Sequence, residues 1–432
     1  MQKFMNTIES KVGPFASRIA ANKYIQAIQH TFMTLIPFIT IGSLALVIIS
    51  PPVDPETLNP GFLKSFIEGW SSLAGWLTPS FGAINNVTMG LLALYVSVLM
   101  GMNLARQHKM PVAMPTVITS MSFLVIAVMG EDGSMIYDYL GGTGLFTALV
   151  FSILSFEAYR KMNEKNFGYI DLSGSGVPPA LAESLGNLIP ATVILLVCGI
   201  TGQLVQQLTG VMLPDVISLV FAPIVSIVNS LWGVILLAVL VMVFWWFGIH
   251  DTVITGPLDV ILMANFTANV SAFAAGTPAS ELPYIVTEPF WWSFMVIGGS
   301  GATFALALLA LFSKSKQIRT VGRLAIVPSF FNINEPLIFG LPIMYNPSLL
   351  IPFIIVMPLN GVITYLCMAG GLVNRTFAYG SWNMFAPIAA FVATLDWRAV
   401  VLILVLIVID MVIYFPFFKM YEKSKLAEEQ KA

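Results

Sequence analysis

The chain has 432 residues, 57% hydrophobic and 10% charged, with 33 Gly, 26 Pro and a formal net charge of −2. Soluble domains are about half apolar and about 25% charged, so an ordinary soluble globule is excluded and the composition reads as a polytopic membrane protein. The charge balance offers no basic surface for nucleic acid. Cys198 and Cys367 lie in apolar stretches without paired spacing and read as reduced core residues, not as a disulfide or metal pair.

Residues 1–29, MQKFMNTIESKVGPFASRIAANKYIQAIQ, are amphipathic and lack the compact apolar region and small-residue site of a signal peptide. They are expected to lie along the cytoplasmic face of the membrane. Apolar runs follow near 31–49, 83–102, 111–129, 140–157, 187–205, 229–249, 289–312, 348–370 and 399–418. Each is close to the ~20 residues that cross a bilayer as a helix.

The loops sort by charge. Lys3, Lys11, Arg18 and Lys23 precede the first run, Arg106 and Lys109 follow the second, and Arg160, Lys161 and Lys165 follow the fourth. Lys314, Lys316, Arg319 and Arg323 follow the seventh run, and Lys419, Lys423 and Lys425 follow the last. The intervening loops carry Asp54, Glu56 and Glu68, then Glu131, Asp132 and Asp138, then Glu281 and Glu288. The positive-inside rule therefore puts both termini in the cytoplasm.

Two stretches, 250–287 and 324–346, are apolar but broken by Pro, Gly, Asn and acids. Irregular backbone at membrane depth survives only where it is buried in protein or lines a cavity, and interrupted apolar segments mark a transporter's binding site. Both stretches read as re-entrant hairpins, centred near 250–270 and 325–346. The stretch 371–397 is ambiguous: parity with a cytoplasmic C-terminus leaves its crossing open.

The first broken stretch opens WWFGIHDTVITGP, with Gly248, His250 and Asp251 directly after an apolar run. A lone histidine there reads as a structural cap, but the second stretch supplies Asn332, Asn334 and Glu335. Two discontinuous segments with ionisable groups point to one shared polar site. Trp245, Trp246, Trp291, Trp292 and Trp382 recur beside these segments. Trp291 and Trp292 read as interface anchors, while Trp245 or Trp382 could pack on a sugar ring whose hydroxyls need amides and carboxylates. Asp410, inside VLILVLIVIDMVIYF, is the other intramembrane acid; it could relay protons or serve as a satisfied structural acid. No GxxxxGK[ST] loop for ATP and no metal-ligand spacing occurs, so neither a cofactor nor a metal is expected.

SFFNINEPLIFGLPIMYNP (329–347), FGIHD (247–251) and GSGVPPALAESLGNLIPA (174–191) together resemble the lactose/cellobiose/N,N'-diacetylchitobiose family of IIC membrane components of the bacterial phosphoenolpyruvate-dependent sugar phosphotransferase system. The resemblance runs over essentially the whole chain. It implies a homodimer joined through N-terminal helices, a C-terminal half that holds a disaccharide, two re-entrant hairpins, and phosphorylation of the sugar 6-hydroxyl by a phosphocysteine on a separate IIB protein at the cytoplasmic face. His250 and Glu335 match the family's residues around that hydroxyl. A partly desolvated carboxylate gains general-base strength, which suits Glu335 to accept the hydroxyl's proton.

The expectations are then an all-α polytopic protein of about ten transmembrane helices plus two hairpins, in the bacterial cytoplasmic membrane. Residues 1–29 form an interfacial segment, 30–210 an N-terminal dimerisation half, 211–419 a C-terminal sugar-binding half, and 420–432 a cytoplasmic tail. The end of the chain soon after the last apolar run leads to the expectation that no soluble IIA or IIB domain is fused. The site is Glu335 and His250 at the reacting end, with Asn332, Asn334, Trp245, Trp382, Asp251 and Gly248 around a β-linked disaccharide. The competing readings are a proton-coupled secondary sugar transporter and, more weakly, a non-transporting membrane receptor.

Overall fold

The computed structural model describes residues 21–51, 55–57, 59–130, 133–172, 176–249, 251–344 and 346–430. His250, Asp54, Glu131, Asp132 and residues 1–20 of the expected interfacial segment lie outside them.

Helices dominate. In chain order they are α1 (Lys23–Ile49), α2 (Phe62–Thr88), α3 (Leu92–Gln107), α4 (Ala113–Phe123), α5 (Leu145–Glu164), α6 (Pro179–Gly186), α7 (Leu188–Thr209) and α8 (Leu213–Val228). The series continues with α9 (Leu231–Trp246), α10 (Thr252–Ala274), α11 (Phe304–Leu311), α12 (Lys316–Phe330), α13 (Glu335–Gly340), α14 (Pro347–Ala369), α15 (Ala386–Thr394) and α16 (Trp397–Glu429). Among the described residues no β-strand occurs, only an isolated bridge between Met129 and Met135.

Among the described residues seven helices are long and apolar enough to cross a membrane, or eight if α8 and α9 are one span bent by 74°. That is short of the expected ten. The bend has a local cause: Ser230 caps the start of α9, its Oγ accepting from the Gly233 N–H at 3.0 Å, which satisfies one of the orphan donors of a new helix. The apolar run 289–312 does not form a spanning helix either. It contains a π-turn at Phe290–Met295, then Gly298, Gly299, Gly301 and Ala302 with positive φ, and only the short α11. Glycines in left-handed conformations break the helix that the apolar content alone suggests.

The hairpin expected near 250–270 is replaced by the continuous α10, and the irregular backbone comes later, between residues 275 and 303. The asparagines that read as helix breakers have another use. Asn265 Nδ2 donates to the Val286 carbonyl at 2.8 Å, and Asn269 Nδ2 donates to the carbonyls of Tyr284 and Thr376 at 2.8 and 2.9 Å. They pin irregular chain against α10 and satisfy its buried polar groups. The stretch 325–346 is broken as expected: α12 ends at Phe330 and α13 begins at Glu335. Within 371–397 the only helix is α15, too short to span.

The chain forms two compact units that are not consecutive halves. One gathers Ala21–Gly42 and Ala83–Pro223; the other gathers Ser43–Gly82 and Ile224–Ala432. In the first, Asn103 donates to the Thr31 hydroxyl at 3.0 Å, and α3 meets α4 closely at Gly101, where a Cβ would stand 2.1 Å from the Thr119 hydroxyl. Small residues permit such close helix approach in membranes. In the second, an apolar core runs from Val234 and Trp245 on α9 through Phe290 and Phe294 to Phe353 on α14 and Phe418 on α16. That core frames the irregular segments that carry the candidate site. Cys198 and Cys367 are free thiols, as expected.

Candidate sugar site

Asp251, Asn332 and Asn334 meet on one loop, residues 298–303, which carried no signal in its charges. Ser300 is its hub. Its hydroxyl donates to Asp251 Oδ2 at 2.6 Å, while its carbonyl accepts from Asn334 Nδ2 at 2.8 Å. Asp251 follows His250 in the chain and Asn334 precedes Glu335, so one residue ties down the chain neighbours of both ionisable groups. Asn334 Nδ2 also donates to the Thr303 hydroxyl at 2.8 Å. The loop can approach this closely because Gly299 has φ +105 and no side chain: a Cβ there would lie 2.3 Å from Asn334 Cγ.

Asn332 fixes the other end. It sits at φ +57, a left-handed conformation that asparagine tolerates better than most residues. Its Oδ1 accepts from the Gly298 N–H at 2.8 Å, and its Nδ2 donates to the carbonyls of Trp382 at 2.7 Å and Trp292 at 3.4 Å. The amide donors of Asn332 and Asn334, expected to face sugar hydroxyls, are therefore engaged by protein. Glu335 is exposed at the start of α13, so the protein fold does not itself desolvate its carboxylate.

Gly248 has a structural explanation. It lies at φ +78 just past α9, with its N–H donating to the Trp245 carbonyl at 2.9 Å and the Ile249 N–H to the Phe244 carbonyl at 3.0 Å. This paired closure of a helix C-terminus needs a residue without a Cβ penalty. The two candidate tryptophans differ. Trp245 is 4% exposed and part of the apolar core, whereas Trp382 is 39% exposed. Trp382 meets Trp292 edge-on, with ring centroids 6.5 Å apart. Trp291 is fully buried, not an interface anchor, and Trp292 hydrogen-bonds Asp259 and supplies a carbonyl to Asn332.

Sequence reasoning missed two acids. Glu288, read as part of an acidic loop, is 4% exposed; its Oε1 accepts from the Tyr379 hydroxyl at 2.7 Å and its Oε2 is buried without a partner. Asp259 on α10 likewise has a buried Oδ1 without a partner. The signal was present in VTEPFWW, an acid set directly before an apolar aromatic run. A buried unpaired acceptor is costly, so these two oxygens call for hydrogen-bond donors. Among the described residues no group of three or more His, Cys, Asp or Glu could hold a metal.

An irregular, membrane-embedded helical scaffold with acids, amides and tryptophans gathered at helix breaks is the arrangement of a membrane carrier for a neutral polar solute. The profile of the family described as "Phosphotransferase system, EIIC" matches residues 29–356. The chain is 34% identical to the cellobiose-specific EIIC component of Geobacillus stearothermophilus, over 100% of this chain and 97% of the relative. It is 31% identical to the oligo-beta-mannoside-specific EIIC component of Bacillus subtilis (strain 168), over 96% of this chain and 94% of the relative. The fold matches the crystal structure of the transporter ChbC, the IIC component from the N,N'-diacetylchitobiose-specific phosphotransferase system. The TM-score is 0.87 with 30% identity, covering 98% of this chain and 99% of that one. The chain belongs to the phosphotransferase-system EIIC family: it is a multi-pass cell-membrane sugar permease of the cellobiose, lactose and chitobiose type.

Proposed function

We propose that this permease binds a β-linked disaccharide of the diacetylchitobiose or cellobiose type and presents its 6-hydroxyl for phosphorylation by a separate phospho-IIB protein at the cytoplasmic face. The observation that carries this reading is the Ser300 hub, which anchors Asp251 and Asn334 and so holds the chain on either side of the two ionisable groups. Trp382 offers an accessible ring face to the apolar C–H side of a sugar, and Trp245 supports the site from the core. Glu288 Oε2 and Asp259 Oδ1 accept from sugar hydroxyls. Gly248, Asp251, Asn332 and Asn334 act as positioning residues that set the shape of the cavity wall.

In the reaction the sugar 6-oxygen attacks the phosphorus of the IIB phosphocysteine. An O–P bond forms, the S–P bond breaks, and the thiolate stays on IIB. Such transfers depend mainly on positioning and charge stabilisation, with a base for the hydroxyl proton. Glu335 takes that proton, and His250 orients the hydroxyl or steadies the incoming phosphoryl charge. Both termini face the cytoplasm, and the working form is a homodimer joined through the N-terminal helices. Vesicles containing the purified protein test the reading. Sugar phosphate should appear inside only when phospho-IIB is supplied on the cytoplasmic side. Accumulation of unmodified sugar driven by a pH gradient alone would overturn it in favour of proton-coupled transport.

A further inference from the structure

Asp410 on α16 and Asn360 on α14 are each 0% exposed, far along the chain from the residues assigned above. Asn360 Nδ2 donates to Asp410 Oδ2 at 3.1 Å. The bond leaves one buried oxygen on each partner without a hydrogen-bond partner, Asp410 Oδ1 and Asn360 Oδ1. Two buried acceptors on bonded partners, with no second donor, make an incomplete pair. When a carboxyl and a carboxamide so joined lie in one plane, a single hydrogen between their remaining oxygens completes a two-bond ring.

Among the described residues no ion pair to Asp410 occurs. The ionisable neighbour on α16 is Tyr414, whose hydroxyl donates to the Gly301 carbonyl at 2.7 Å. Of the elements packed on α16, α11 and α15 carry no titratable residue. The basic start of α12 meets α16 at Glu429, where the Lys316 and Gln317 N–H groups donate to its carboxylate. That is about five helical turns from Asp410. On α14, Thr364 lies one turn from Asn360 and its buried hydroxyl also has no partner, while the helix's titratable residues, Tyr365 and Cys367, supply no cation.

We propose that the Asp410–Asn360 pair is a binding site for one proton, held on Asp410 Oδ1 and donated to Asn360 Oδ1, so that a neutral acid–amide ring staples α14 to α16. Asn360 is the acceptor, and not Thr364, because its amide is already hydrogen-bonded to the Asp410 carboxyl. The proton satisfies both orphan oxygens at once and removes a charge that no described basic residue pairs with. Asp410 thereby ceases to be a candidate proton carrier, since its proton stays bound through the working cycle.

Infrared difference spectra of the purified full chain against Asp410→Asn test this at pH values well above the ordinary aspartate range of about 4. The expected result is loss of a protonated-carboxyl C=O band in the variant, with no loss of carboxylate intensity. An amide can donate to Asn360 Oδ1 and accept from Asn360 Nδ2 just as the acid does, so Asp410→Asn should melt with the parent. Asn360→Leu should shift the carboxyl band and Thr364→Val should leave it in place. Loss of a carboxylate band in Asp410→Asn would overturn the proposal, as would a melting temperature that rises on that substitution or depends on sodium. Failure of Asp410→Asn to assemble would also overturn it, because a neutral amide would then not replace the group. A band that shifts in Thr364→Val and not in Asn360→Leu would overturn the assigned acceptor.

Discussion

Replacing Asn332 by alanine removes the side chain that ties the glycine loop to the Trp292–Trp382 pair. Two bonds at 2.8 and 2.7 Å are lost, to the Gly298 N–H and the Trp382 carbonyl. At about 1 kcal/mol net for each, they contribute about 2 kcal/mol. The longer contact to Trp292, at 3.4 Å, adds little. Alanine must also hold φ +57, where a Cβ costs about 1–2 kcal/mol. Because the parent asparagine carries a Cβ at the same φ, Asn332→Ala should destabilise the protein by roughly 2 kcal/mol from the lost bonds, whereas Asn332→Gly loses the same bonds but sheds the backbone strain and should cost about 1–2 kcal/mol less than alanine. Denaturant melts of both variants in one detergent measure the difference. Equal midpoints for the two would refute the backbone argument, and a parent-like Asn332→Ala would refute the positioning role altogether.

Trp382→Ala should weaken disaccharide binding by about tenfold or more with little change in melting temperature, whereas Trp245→Ala should cost about 3–5 kcal/mol of stability because it empties a buried site. Calorimetric titration beside a thermal melt separates the two; a parent-like affinity in both variants would end the stacking assignment. Glu288→Gln should lower sugar affinity while Tyr379→Phe, which removes only the hydroxyl that holds Glu288 Oε1, should lower it less; an unchanged affinity in Glu288→Gln would exclude Glu288 from the site. Asp396 caps α16, accepting from the Arg398 N–H at 2.9 Å. Burial pushes its carboxyl up, but the Arg398 side chain and the backbone N–H groups of Arg398 and Asn374 outweigh that and hold it below the usual carboxylate range. Its contribution is complete above the ordinary value near 4 and disappears as the pH falls through the lowered one. Asp396→Asn should accordingly reduce the acid sensitivity of melting, and an identical pH profile would contradict this.

What the sequence made legible follows from which signals are local. Apolar length and charge alternation identified α1, α5, α7, α14 and α16, and the NINEP stretch identified the break between α12 and α13. The run 289–312 was misread because hydropathy counts apolar content and is blind to φ, whereas Gly298, Gly299 and Gly301 turn the chain. The 250–270 stretch was misread for the opposite reason: Asn265 and Asn269 looked like breaks in a helix, but their amides satisfy neighbouring loop carbonyls and leave α10 intact. At the site, residue type pointed to Asp251, Asn332 and Asn334, but their partners lie 31 to 50 residues away along the chain. Whether an amide faces sugar or protein is set by tertiary contact, and so is the burial that turns Glu288 from a loop charge into an interior acid.

The central claim is that Glu335 serves as the base for phosphorylation of the bound sugar. The direct measurement takes purified Glu335→Gln, supplied with phospho-IIB, and determines sugar affinity and the rate of sugar-phosphate formation on the same sample. Gln keeps the shape and much of the hydrogen bonding of Glu but cannot take the proton. Affinity should stay near that of the parent while phosphorylation falls by about 10²–10⁴-fold. Near-normal phosphorylation would contradict the base assignment, and a parallel fall in affinity and rate would reduce Glu335 to a group that only orients the sugar.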